Sequence, residues 1–259
     1  MIEYGLQLYS VRDIAKENLK DALRQVAEMG YTYVEFAGFF GHPAEDVKAW
    51  LDEYGLKVSA THTGCAELIP SSIKKTVAYH KAIGCDTIII PSSSYRTPEE
   101  VEFTVALLNY AEKYLKAEGM TLGYHNHSKE LYPNDFGIVF EDEILNRTNV
   151  MIEIDTFWLF NAGIDPVPYL EAHKDRIGVI HLKDGDIPTD KRDFNTAHDG
   201  VVGKSVGSGM APVKAVREWA IKNNVLMVVE SEGLDPTGPD EVRRCMDHLR
   251  SLEEREARE

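Results

Sequence analysis

Four short apolar segments in the second half of the chain run straight into side chains that bind metals or move protons. They end in Tyr124-His125-Asn126-His127-Ser128-Lys129-Glu130, Glu153-Ile154-Asp155, His181-Leu182-Lys183-Asp184 and Val229-Glu230-Ser231-Glu232. Glu130, Asp155 and His181 follow one another at about the length of a strand plus a helix, and Glu230 comes one such unit and a long insert later. Three carboxylates gathered in one place repel each other and resist ionisation, a cost that a divalent cation removes. Oxygen donors with one neutral imidazole and no thiolate suit Mn²⁺, with Mg²⁺, Co²⁺ or Zn²⁺ as alternatives. The expected metal ligands are therefore Glu130, Asp155, His181 and Glu230, whereas each taken singly reads as well as a helix cap or a solvated acid.

Other residues surround this set. His125 and His127 are two apart on one strand and share a side, as substrate contacts or proton carriers, or as packed core histidines. Glu153 shares a face with Asp155 and either orients a ligand or pairs lower in the fold, the second being expected. Lys183 lies two beyond His181, where an ammonium holds a substrate oxygen or a developing enolate; a surface lysine is the plain alternative. Gln7, Tyr9, Glu35 and His62 end earlier segments and are expected to bind hydroxyls. Trp158, beside Phe157, is either an apolar wall for the carbon face of a sugar or core packing.

Such distant residues meet only if one architecture brings the segment ends together. Tyr4–Tyr9, Tyr31–Phe36, Lys57–His62, Thr87–Pro91, Thr121–Asn126, Val150–Asp155, Gly178–Leu182 and Leu226–Ser231 read as eight strands. Amphipathic stretches at 18–29, 44–53, 72–83, 98–118, 167–173, 212–223 and 239–252 read as helices, several behind Pro or Thr-Pro start signals. Strands apolar on both faces, such as Thr87-Ile88-Ile89-Ile90, imply a parallel sheet covered by helices. Eight βα units over 259 residues predict a single-domain (β/α)8 TIM barrel, whose strand ends open on one face. A doubly wound open sheet is the competing architecture, but Ser10-Val11-Arg12-Asp13 stands where its glycine-rich phosphate loop belongs. Residues 184–209 form the one long insert, expected to cover substrate, and residues 253–259 read as a polar tail.

Composition narrows the classes. Apolar residues are 43% and charged residues 27%, values of a soluble globular enzyme. The net charge of −15 repels nucleic acid. Cys65, Cys85 and Cys245 are too scattered for a disulfide framework or a thiolate zinc site, which fits a reducing cytoplasm. No apolar run suits a membrane span, and the first residues lack the pattern of a secretion signal.

Gly5-Leu6-Gln7-Leu8-Tyr9-Ser10, Gly123-Tyr124-His125-Asn126-His127 with Glu130, Ile154-Asp155-Thr156, and Asp175-Arg176-Ile177 leading to His181-Leu182-Lys183-Asp184 together resemble the xylose-isomerase-like TIM-barrel superfamily over nearly the whole chain. The resemblance implies a metal set of Glu, Asp, His and Glu on strands five to eight, carried here by Glu130, Asp155, His181 and Glu230. It departs from the ketose epimerases, which place the first Glu inside the fifth strand and have His where Trp158 stands. Residues 162–184 are more similar to the inosose dehydratase branch.

The resemblance implies removal of a proton next to a carbonyl to give a metal-stabilised enediolate. Glu230 and Glu130 are then acid/base groups as well as ligands, with His125 or His127 as an alternative shuttle. The first expectation is a metal-dependent isomerase or epimerase of a sugar or sugar phosphate. A dehydratase or β-eliminating lyase on a keto-inositol or 3-keto-glycoside is the second, and a sugar-binding barrel without turnover the third. The expected partner is a small carbohydrate, with homo-oligomerisation left open.

Overall fold

A computed structural model describes residues 2–190 and 192–258. Its strands are β1 (Gly5–Gln7), β2 (Tyr33–Phe36), β3 (Lys57–His62), β4 (Thr87–Ile90), β5 (Thr121–His125), β6 (Met151–Asp155), β7 (Ile177–Asp186), β8 (Val202–Lys204) and β9 (Leu226–Glu230). Seven of them, β1 to β7, pair in sequence order and in parallel, and β9 pairs in parallel with both β7 and β1. The ring of β1 to β7 and β9 closes, so the predicted eight-stranded barrel is the observed fold.

Local chemistry explains the elements around the ring. In the helix Leu19–Glu28, Leu19, Ala22, Leu23 and Val26 are buried, the spacing of one apolar stripe, and the Asn18 side chain accepts the Asp21 N–H at its start. The helix Pro98–Ala117 opens on a reciprocal cap between Thr97 and Glu100. Gly55 and Gly84 close two helices at φ of 68° and 78°, the left-handed region that glycine enters without strain.

Three features differ from the sequence-based expectations. Helices form over Phe140–Arg147 and Thr156–Asn161, both too short to show a clear period. The last helix runs from Gly238 to Glu256, so most of the expected polar tail is helical. There Glu253 Oε1 accepts from Arg250 at 2.7 Å, and Glu256 Oε1 from buried Arg217 at 2.5 Å. The insert is partly ordered by its own hairpin: β7 continues past the ring and pairs antiparallel with β8, Asp184 opposite Lys204.

Asp184 fastens that insert. Its Oδ1 accepts the N–H of Gly185 (2.8 Å) and Ala211 (3.0 Å), and Oδ2 those of Gly207 and Gly209 (2.9 Å each). Asp184→Ala leaves four backbone donors to find other partners, and is expected to lower unfolding free energy by about 2–4 kcal/mol in urea titration. A loss below about 0.5 kcal/mol would show that water replaces the carboxylate.

Burial also builds a pH dependence into the fold. Glu141, on the helix Phe140–Arg147, is buried, and burial pushes its carboxyl up to about 7 although the Tyr169 hydroxyl donates to it at 2.9 Å. A folded-state pKa above the unfolded value of 4.5 means the group's contribution is complete below about 4.5 and is lost as pH rises through about 7. Glu141→Gln removes that titration. The variant should therefore gain up to about 3 kcal/mol on wild type between pH 5 and pH 8, measured by denaturant unfolding at both. Parallel pH profiles for the two proteins would refute this.

The three cysteines are free thiols. No helix among the described residues is long and apolar enough to cross a membrane.

Candidate active site

Strand register, rather than loop folding, assembles the polar cluster in the barrel. Neighbouring strands align Gln7 with Glu35, His125 with Glu153, Asp155 with His181, and Lys183 with Glu230. Each pair is cross-strand neighbours on one face, and in a closed barrel those faces converge on the axis. All eight of these residues are buried.

Toward the carboxyl ends of the strands, one ligand atom each from His125, Asp155, His181 and Glu230 lies within 4.8 Å of the others. His181 Nδ1 is 3.0 Å from Glu230 Oε2 and 4.0 Å from Asp155 Oδ2. Asp155 divides its carboxylate between two tasks. Oδ1 caps the helix Thr156–Asn161 by accepting the N–H of Phe157 (2.9 Å) and Trp158 (3.0 Å), while Oδ2 is buried with no hydrogen-bond partner. A buried carboxylate oxygen without a donor is costly, and here it faces the gathered imidazole and carboxylates. Carboxylate and imidazole donors with one unsatisfied anionic oxygen fit a divalent cation, which Asp155, His181, Glu230 and His125 could hold.

Lys183 supplies fixed positive charge beside this group. Its ammonium lies 2.9 Å from Glu232 Oε1, 3.5 Å from Glu230 Oε2 and 3.7 Å from Asp155 Oδ2, and 4.6 Å over the Trp158 ring. Burial opposes its charge, but the three carboxylates prevail and raise its pKa. Burial likewise opposes ionisation of Glu230, yet Lys183 and His181 hold that carboxyl well below the usual range. Asp155 is pushed up to about 6, by burial first and then by the charge of Glu230.

Beneath the rim lies a floor of two carboxylates and a third histidine. His62 Nε2 is 2.7 Å from Glu153 Oε2 and 3.0 Å from Glu35 Oε1. His181 Nε2 is 2.8 Å from Glu35 Oε1, His125 Nδ1 is 3.0 Å from Glu153 Oε2, and Gln7 Nε2 donates to Glu35 Oε1 at 2.6 Å. Burial and the neighbouring Glu35 charge push Glu153 up to about 7. Burial disfavours charge on His62, but Glu35 and Glu153 together carry it up to about 9.

A cavity of about 350 Å³ opens above, lined by Tyr9, His62, His125, His127, Glu230 and Glu232 among others. Burial, then the nearby Lys183 charge, brings His127 down to about 3. The His127 ring stands 5.7 Å from those of Trp158 and His198, and His198 belongs to the insert. The insert thus packs against the β5 and β6 side of the mouth.

The structure sorts the expected site residues into four places. Asp155, His181 and Glu230 come together beside Lys183, and the fourth member of the group is His125, not Glu130. Glu130 sits on the turn Lys129–Leu131 beyond the strand, where its Oε2 accepts the His127 N–H at 3.0 Å and burial pushes its carboxyl up to about 7. Tyr9, His62 and His127 reach the cavity. Gln7 and Glu35 do not: both are fully buried and bonded to each other in the floor. Trp158 is 5% exposed and meets Lys183 and His198. Glu153 does pair low in the barrel, with histidines. Glu232 was not singled out from the sequence, although its place two residues past Glu230 was the available signal.

Comparison with known proteins adds a relationship. A family model described as "xylose isomerase-like TIM barrel" matches residues 23–252. Among curated proteins, the 2-oxo-tetronate isomerase of Haemophilus influenzae is 26% identical over 168 residues, 55% of this chain and 65% of that protein. The inosose dehydratase of Geobacillus kaustophilus is 26% identical over 186 residues, 62% of this chain and 60% of that protein. The chain thus aligns with less than two thirds of the length of either relative. Among solved structures, a sugar phosphate isomerase/epimerase from Parabacteroides distasonis has a TM-score of 0.79 and 27% identity, covering 95% of this chain and 97% of that one. The IOLI protein, solved with a zinc atom, shares the fold at a TM-score of 0.72 and 15% identity, with 95% and 96% covered.

Proposed function

This chain belongs to the xylose isomerase-like TIM barrel family, and from that premise we infer that it is a metal-dependent enzyme that isomerises or epimerises a sugar or sugar phosphate. The observation that carries the reading is the convergence of His125, Asp155, His181 and Glu230 beneath an open cavity, with a buried Asp155 oxygen left without a donor. Asp155, His181, Glu230 and His125 would hold a divalent cation there, which would supply Lewis acidity toward a substrate carbonyl. Mn²⁺ suits the oxygen donors and Zn²⁺ the two imidazoles.

The protein's own groups account for the remaining chemistry. Glu230, ionised and lining the cavity, accepts a proton from carbon beside the carbonyl. Lys183 stands where an ammonium stabilises developing negative charge on oxygen. Glu232, also on the cavity wall, carries the proton to a neighbouring carbon or to the other face in this reading. Tyr9 and the neutral face of His127 offer hydrogen bonds to hydroxyls.

The inosose dehydratase relative favours a second reading, loss of a β-hydroxyl after the same proton removal, with Glu232 as acid. One experiment separates the two. The manganese-loaded protein is incubated with ketoses, inososes and 3-keto-glycosides in D₂O, and carbon-bound protons are followed by NMR. Deuterium uptake with an intact skeleton supports isomerisation, and an enone supports elimination. Binding without exchange into any substrate would refute both and leave a non-catalytic barrel.

A further inference from the structure

We propose that Glu35 and Glu153 are positioning residues that fix the tautomers of the two histidines in the rim cluster. The proposal rests on the reading that this cluster binds a cation. Each histidine has one nitrogen against a floor carboxylate: His181 Nε2 is 2.8 Å from Glu35, and His125 Nδ1 is 3.0 Å from Glu153. A carboxylate only accepts, so the nitrogen facing it carries the proton, and a neutral imidazole then offers its lone pair from the other nitrogen. In His181 the other nitrogen, Nδ1, also faces a carboxylate, Glu230 Oε2 at 3.0 Å, so in the metal-free chain it too carries a proton, the one that a cation held by Glu230 and Asp155 would displace; in His125 the remaining nitrogen is Nε2. With a cation bound, the opposite tautomers would leave Glu35 and Glu153 without a proton from these two rings. Hydrogen bonds of this kind fix ring orientation and raise ligand basicity.

The floor is itself held. Gln7, on the adjacent strand, donates to Glu35 at 2.6 Å, and His62 bridges the two carboxylates. Four atoms from His62, His125, Glu153 and His181 also lie close enough to suggest a second cation site, and Glu35 Oε2 and Glu153 Oε1 are buried without partners. Two cations would require His125 and His181 each to give up both ring protons. One proton on His181 Nε2 and one on His125 Nδ1 satisfy the floor distances of 2.8 and 3.0 Å as hydrogen bonds, so the floor reads as an orienting layer under a single ion.

Titration of the full chain with Co²⁺, followed by visible absorption and calorimetry, tests this. Wild type should bind one Co²⁺. Glu35→Gln and Glu153→Gln should each weaken binding by about 10–100-fold and shift the cobalt absorption band, with the fold checked by circular dichroism. Two Co²⁺ per chain, or unchanged affinity and spectrum in both folded variants, would overturn the proposal. Should a variant not fold, ¹⁵N NMR of histidine-labelled wild type with Zn²⁺ decides. The proposal expects protonated Nε2 in His181 and protonated Nδ1 in His125; reversed tautomers overturn it while leaving the cation reading standing. Failure of wild type to bind Co²⁺ or Zn²⁺ would instead remove the cation reading and the positioning role together.

Discussion

Asp155→Asn should cost more than about 100-fold in both metal affinity and turnover while leaving the fold in place. Groups that merely orient metal ligands are typically worth about 10–100-fold in affinity, so loss of a ligand charge should exceed that. The substitution is clean because the two carboxylate oxygens work separately. The retained carbonyl still accepts from the Phe157 and Trp158 N–H groups and keeps the cap of the helix Thr156–Asn161, while the donorless Oδ2 becomes an NH₂. Calorimetry with Mn²⁺, kinetics on the substrate found in D₂O and a thermal melt together check it. Wild-type affinity and rate in a folded Asp155→Asn protein would remove Asp155 from the site.

Lys183→Met should produce the other large effect, and in two directions at once. The ammonium is 1% exposed and lies within 3.7 Å of oxygens from Asp155, Glu230 and Glu232. Removing one partner of a buried charge network typically destabilises by about 3–5 kcal/mol, because the remaining charges lose their compensation. The metal-free variant should therefore melt well below wild type. Added Mn²⁺ should raise its melting temperature by more than it raises that of wild type, since the cation then neutralises the stranded carboxylates. Turnover should fall by about 10²–10³-fold if the ammonium stabilises charge on the reacting oxygen. Unchanged stability would mean that water screens these carboxylates, and unchanged turnover would leave Lys183 a purely structural cation.

The residues that could be read from the sequence are those whose position along a strand determines their place. Asp155, His181 and Glu230 lie at or near the carboxyl ends of parallel strands, and once the strands are recognised the barrel brings those ends together. Glu130 shows the limit of that logic. The fifth strand stops at His125, the chain turns, and a carboxyl five residues on is folded back onto the His127 N–H. Only the strand terminus, which sequence patterns locate to within a few residues, separates a side chain in the cluster from one on the turn.

The floor was hidden for a different reason. Glu153 is expected low in the fold, but for Gln7 and Glu35 alternation assigns only a face and says nothing of depth, which follows from how far neighbouring strands are staggered. Glu35 meets His181 from 146 residues away. The helix Thr156–Asn161 was likewise obscured, since its six residues carry no period and its start signal, Asp155, was already read as a ligand.

Anomalous diffraction from crystals of the manganese-loaded protein tests the central claim most directly. The account predicts one strong peak inside the barrel mouth, coordinated by Asp155, His181 and Glu230 with His125 at bonding distance and Glu130 outside the sphere. Density without that peak at saturating manganese, or manganese bound only to exposed acids elsewhere on the chain, would contradict it.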